Sequence, residues 1–162
     1  MKIKVGDKIP LAEFFVLDEN KAVKKIKSNS LLNSKKVIII GVPGAFTKVC
    51  SAKHLPGYVN NFQLAQKKGV NKIICISVND PNVMDAWGES QKVEDKIIMV
   101  GDPYCEFTKM IGAEVDKYEK GLGIRSSRYT MLVENSEVKK IEEEKETATC
   151  ELSAAESFLK SI

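Results

Sequence analysis

A chain of 162 residues with 43% hydrophobic side chains is long enough to close one core and does not call for a second, so a single domain over residues 1–162 is expected. Its 25 basic and 22 acidic side chains leave a net charge of +3, too small and too evenly spread for a nucleic-acid surface. No apolar run reaches the roughly 18 residues of a membrane span, and the amino terminus MKIKVGDKIP lacks the apolar centre of a signal peptide, so a cytoplasmic protein with no nucleic-acid or membrane partner is expected. Four cysteines, Cys50, Cys75, Cys105 and Cys150, lie far apart with no C-x-x-C pair, unlike a secreted disulfide scaffold or a zinc ribbon.

Lys2 to Pro10 reads as an extended arm, Phe14 to Leu17 as a strand, Asp18-Glu19-Asn20 as a turn and Val23 to Ile26 as a second strand. A polar connection from Ser28 to Lys36 leads into Val37 to Ile40, a short β-branched run suited to a strand buried on both faces. A turn-rich loop, Val42 to Phe46, follows. Thr47 reads as an N-cap and Lys48 to Lys68 as helix, kinked near Leu55 because Pro56 cannot continue the hydrogen-bond ladder. Gly69 closes it, and Ile73 to Val78 is a second buried strand, so the long connection implies a right-handed crossover and a parallel pair. Asn79-Asp80-Pro81 caps a helix from Asn82 to Ser90 whose period carries Val83, Met84 and Trp87 toward the core, Ile97 to Val100 is a strand, and Glu106 to Ile111 a short helix. Glu114 to Gly123 reads as loop, and Tyr129 to Glu134 with Val138 to Ile141 as a hairpin around Asn135-Ser136. Glu142 to Glu146 reads as an acidic surface run. The spacing Ser153 to Glu156 is that of a capping box, which opens a closing helix to Ile162. The order of elements is that of an α/β protein, a central mixed β-sheet flanked by helices on both faces.

The chemistry concentrates at Cys50. A thiol in the first helical turn after a buried strand meets unpaired backbone N–H groups and the positive end of the helix dipole, which suit an anionic sulfur, and Cys50 is expected to be exposed there as a nucleophile. Thr47, three residues earlier, can cap the helix and bond to the sulfur or to an oxygen bound beside it. His54 lies four residues after Cys50, on the same helical face, and raises two rivals: a cysteine hydrolase with a Cys50–His54 dyad, and a metal site for which no further ligands are apparent. A third reading is a binding protein switched by oxidation of Cys50.

The string PGAFT-x-x-CS-x-x-HLPGY, with P-x-x-x-T-x-x-C over Pro43, Thr47 and Cys50, resembles the peroxidatic loop of the peroxiredoxins. It is most similar to the atypical group that includes mammalian type five and plant type two. The resemblance continues through ISVNDP, Trp87, KGLGIRSSRYTMLVEN and SAAESFL, covering Gly6 to Leu159. One departure is Lys48, where the family usually has proline. The resemblance implies a thioredoxin-like fold and a thiol peroxidase for hydrogen peroxide and organic hydroperoxides, working without metal, haem or flavin. It implies Cys50 as nucleophile, Arg128 and Thr47 as the polar clamp, Pro43 as its shield from water, and Arg125 and His54 in supporting positions. The resolving thiol is Cys150 if the mammalian position applies and Cys75 if the plant one does. Cys150 is preferred because it follows a polar segment, whereas Cys75 sits in a buried strand. Thioredoxin, glutaredoxin or glutathione is the expected reductant, and a homodimer is expected, with Trp87 or Phe46 at its edge.

Overall fold

The computed structural model describes residues 1–162. A seven-stranded sheet is built from β1 (Glu13–Leu17), β2 (Val23–Lys27), β3 (Lys36–Val42), β4 (Lys72–Ser77), β5 (Ile98–Gly101), β8 (Tyr129–Glu134) and β9 (Glu137–Glu143), in the order β2-β1-β5-β4-β3-β8-β9. The β3, β4 and β5 strands run parallel, and β8 pairs antiparallel with β3 on the side away from β4. The remaining strands, β6 (Glu114–Asp116) and β7 (Ile124–Ser126), form a separate antiparallel pair inside the stretch expected to be loop.

Strand periodicity builds two cores from alternate residues of the same strands. Ile38, Ile40, Val42, Ile73 and Cys75 face one way, under α2 (Leu55–Asn60), α4 (Pro81–Ser90) and α6 (Ala155–Lys160). Val37, Ile39, Ile74 and Ile76 face the other, with Leu31 of α1 (Ser28–Leu31) and Phe107 of α5 (Glu106–Met110). Helices on both faces of a mixed sheet make this the expected thioredoxin-like fold. Close approach is enforced at one point: Gly41 pairs with Tyr129 across β3 and β8, and a side chain at Gly41 would occupy the space of the Tyr129 ring.

Three local expectations are corrected. The helix after the site loop is three pieces: a π-helical segment Cys50–His54, then α2, then α3 (Phe62–Lys67). Pro56 has no N–H and its ring crowds the preceding turn. The chain widens before it, with the Leu55 N–H bonded to the Cys50 carbonyl, and the second break comes at Asn61. Ser153 caps nothing; α6 begins at Ala155, and the Ser153 hydroxyl donates instead to Glu144. The acidic run is not all surface either, because Glu144 is buried.

Candidate active site

The loop between β3 and Cys50 is held from three sides. Ala45 N–H donates to Asn79 Oδ1 at 3.0 Å, and the Ser77 hydroxyl at the end of β4 donates to the same oxygen at 2.7 Å. Arg125 donates to the Leu122 carbonyl at 2.8 Å and the Val78 carbonyl at 3.0 Å, with its guanidinium against Gly44. It braces the loop and makes no bond to Cys50. Trp87 donates from Nε1 to Ser51 Oγ at 2.9 Å, which ties α4 to the residue after Cys50. Trp87 is wholly buried in the core of its own chain, as the helical period of Asn82 to Ser90 leads one to expect, so it does not stand at a dimer edge. Phe46, at φ 60°, remains 56% exposed on the loop tip.

Cys50 is fully buried, not exposed as expected for a reactive thiol. It is reached through Arg128, whose Nη2 donates to Cys50 Sγ at 3.4 Å. Strand parity explains the meeting: Arg128 precedes β8 in phase with Thr130 and Leu132, which face the Cys50 side of the sheet. Nε and Nη2 of Arg128 also donate to the Thr147 carbonyl at 3.3 and 2.8 Å, and Nη1 donates to His54 Nδ1 at 3.2 Å. Of the five N–H groups of a guanidinium, these bonds engage four, leaving one without a protein acceptor. No carboxylate is paired with this buried cation. The guanidinium therefore has no protein counter-charge and is free to face an anion bound in the site.

Thr47 does not bond to Cys50. Its hydroxyl donates to the Gly44 carbonyl at 2.8 Å, which fixes the rotor and leaves its lone pairs to accept from a bound O–H. Pro43, Thr47, Lys48 and Arg128 line a cleft of about 260 Å3, so the departure at Lys48 sets an exposed cation at its mouth. A larger cleft of about 600 Å3 between α4 and the β1–β2 edge contains no thiol, so size does not mark the site.

His54 is committed elsewhere. Nδ1 accepts from Arg128, so the ring proton sits on Nε2 and is donated to the Ser153 carbonyl at 3.2 Å, with Thr130 Oγ1 at 3.3 Å. Burial first, and then the Arg128 charge, push His54 from its usual 6.5 down to about 3. A neutral imidazole whose one lone pair is occupied cannot serve as a base for Cys50, which removes the hydrolase dyad. Tyr58 and Thr130 donate to the same Ser153 carbonyl at 3.0 and 2.8 Å. This group, Tyr58, Thr130 and Ser153 all buried and Thr147 half-buried, went unrecognised in the sequence. Tyr58, four residues after His54, and Thr130, two after Arg128, had the spacing that would have marked them.

The family model described as Redoxin matches residues 4–159. Peroxiredoxin-2D of Arabidopsis thaliana is 43% identical over 136 residues, 84% of each chain. The chain belongs to the peroxiredoxins. Among solved structures, reduced Prx3 of Vibrio vulnificus in complex with hydrogen peroxide is 38% identical, with a TM-score of 0.92 over 98% of each chain. Peroxiredoxin 5 of Alvinella pompejana is 31% identical, with a TM-score of 0.85 over 98% of this chain and 97% of that one. This peroxiredoxin is accordingly a thiol-dependent peroxidase, with hydroperoxides as substrates and thioredoxin-type proteins as reductants. Neither the hydrolase nor the redox-switch reading finds support among these relatives.

Proposed function

We propose that Cys50 is the peroxidatic nucleophile, that Arg128 and Thr47 hold the peroxide, that Pro43 shields the sulfur and that Cys150 resolves it. The observation that carries this is the carboxylate-free guanidinium 3.4 Å from Cys50 Sγ. The thiolate attacks one peroxide oxygen, and the O–O bond breaks in line. The leaving oxygen takes a proton and departs as water or alcohol, while Cys50 becomes a sulfenic acid. Arg128 offers positive charge and a spare N–H where that oxygen gains charge, and the Thr47 hydroxyl accepts from the peroxide.

Cys150 then attacks the sulfenyl sulfur, expelling hydroxide that leaves as water with the thiol proton, and a thioredoxin or glutaredoxin dithiol, or glutathione, reduces the disulfide. Cys150, itself buried, borders a cleft with Lys53 and Glu151 in a segment outside the sheet that is held there by side-chain bonds. Cys75 lies in β4, laddered on both sides, and burial, with Cys50 nearby, pushes its thiol well up. Stoichiometric peroxide added to the reduced protein is expected to give a Cys50–Cys150 disulfide in non-reducing peptide maps, and Cys50→Ser to abolish consumption. A Cys50–Cys75 link would move the resolver to β4. A Cys50 sulfenic acid alone would hand the step to an external thiol.

Four unpaired thiols suit the reducing cytoplasm proposed for this chain. The proposed homodimer pairs through the site loop; the exposed aromatic ring of Phe46 there supports this reading. Phe46→Ser is expected to raise the dimer dissociation constant at least tenfold in sedimentation equilibrium; an unchanged constant would move the interface elsewhere.

A further inference from the structure

Glu144 is a buried acid, 7% exposed, that the peroxidase chemistry leaves without a task. It appears in no ion pair. Its Oε1 accepts from the Glu151 N–H at 2.7 Å and from the Ser153 N–H and Ser153 hydroxyl at 2.8 Å each, and its Oε2, at 3.2 Å, shares the Thr149 hydroxyl proton with the Glu146 carbonyl at 2.9 Å. Those partners flank Cys150 on both sides. Burial of Glu144 works against its charge, but the bonds from Ser153, Glu151 and Thr149 outweigh it and hold the carboxyl below its usual range, so it is ionised at neutral pH.

The same segment is held at two further points by the peroxidatic site. Arg128 grips the Thr147 carbonyl, and the Ser153 carbonyl receives bonds from His54, Tyr58 and Thr130. Cys150 is 2% exposed between these anchors. It is reduced and makes only a long contact with the Ser153 hydroxyl at 3.9 Å. A Cys50–Cys150 bond requires Cα atoms within about 7 Å and a strict Cβ–S–S–Cβ dihedral, so any movement of the Cys150 sulfur to meet that geometry is made against these bonds.

We propose that Glu144 is the latch of the Cys150 segment: by holding residues 149–153 it parks the resolving thiol, and its release sets the rate at which the Cys50 sulfenic acid is converted to the disulfide. Glu144 is a positioning residue; it touches neither peroxide nor sulfur. The chemical reason for separate control lies in the neighbouring anchor. Oxidation turns an anionic sulfur into a neutral S–OH and withdraws the charge that faced Arg128, so the Arg128 end of the segment is reset by the reaction itself. The carboxylate bonds of Glu144 are untouched by it. They remain as the hold to be broken before Cys150 attacks the sulfenyl sulfur, the S–S bond forms, and hydroxide leaves as water with the thiol proton.

The latch rests on Cys150 as resolver, and two readouts separate the two ideas. In the reduced protein, Cys150 is alkylated with iodoacetamide and mapped by mass; Glu144→Ala is expected to raise its rate at least tenfold, with Glu144→Gln, which keeps one acceptor oxygen, in between. In single-turnover stopped flow with hydrogen peroxide, the disulfide-forming phase, followed by Trp87 fluorescence and quenched-flow mass, is expected to accelerate at least fivefold in the same order. The share of Cys50 reaching sulfinic acid at excess peroxide should fall in parallel. Unchanged alkylation in both variants would overturn the latch, and the near-isosteric Gln variant keeps that outcome independent of any folding defect in the Ala variant. Faster alkylation with an unchanged or slower Cys50–Cys150 phase would overturn its control of resolution. A disulfide map without Cys150 would instead overturn the resolver assignment, and with it that control, while the alkylation result still decides the latch.

Discussion

Replacing Arg128 with glutamine is expected to lower kcat/KM for hydrogen peroxide by on the order of 10²–10³, the usual cost of removing one preorganised donor from a charge-developing site. The expectation is at the high end because the proposed mechanism uses Arg128 twice: Nη2 lies 3.4 Å from Cys50 Sγ, the proposed nucleophile, and the N–H left without a protein acceptor is the proposed donor to the leaving oxygen. Lysine retains the charge but not the planar fork that reaches Cys50, His54 and Thr147 together, so Arg128→Lys should recover only part of the loss. Stopped-flow peroxide consumption at pH 7 checks both, with near-UV circular dichroism to confirm that the core is kept. A loss under tenfold in the glutamine variant would show that the guanidinium is structural. Burying a cation without a carboxylate is costly by itself, so a large activity loss with little loss of stability is the pattern a functional charge predicts.

The second large effect is a pH dependence of stability carried by His54. In the folded chain the imidazole is fully buried and stays neutral down to about 3, through burial and then the Arg128 charge, whereas the unfolded chain protonates it near its usual 6.5. Between those two values the unfolded state holds the extra proton, so stability falls as pH drops below 6.5, by about 1.4 kcal/mol per pH unit. Between pH 6.5 and 4.5 that amounts to roughly 2–3 kcal/mol from this one group. Carboxylates add losses at the acid end, so the measurement is a difference: urea midpoints of the wild type and of His54→Gln across that range. The glutamine variant should lack this component, and the two curves should converge toward low pH. Parallel curves would mean that His54 is protonated in the native state.

Much of this molecule was legible in the chain because the information is local. The runs Val37 to Ile40 and Ile73 to Ile76 are too short and too β-branched for helix and are apolar on both faces, so strands buried between two layers are the only economical way to cover them. The β8–β9 hairpin followed from alternation around Asn135 and Ser136, both of which adopt positive φ at the turn. The Pro43, Thr47 and Cys50 spacing set the site loop at a strand-to-helix junction, where the structure has it. The helix after Cys50 was harder. Composition favours helix from Lys48 to Lys68, but the geometry Pro56 imposes is absorbed upstream as a π-helical segment, a choice that depends on what packs around Leu55 and Tyr58.

Sequence alone determined which residues are available for chemistry, the thiol at Cys50, the arginine before β8 and the histidine one turn on, together with the order of the layers that carry them. Tertiary structure decided what each does. Arg128 meets Cys50 and His54 across 78 and 74 residues, His54 meets the Ser153 carbonyl across 99, and no local pattern specifies such pairs. The same holds for Glu144, which reads as one acid in an exposed run and is drawn inside by the N–H groups of Glu151 and Ser153. Periodicity reports which face a side chain takes. Whether that face ends against solvent, a cation or an unpaired N–H depends on the free energy of satisfying buried polar groups, which is settled only when distant segments are brought together.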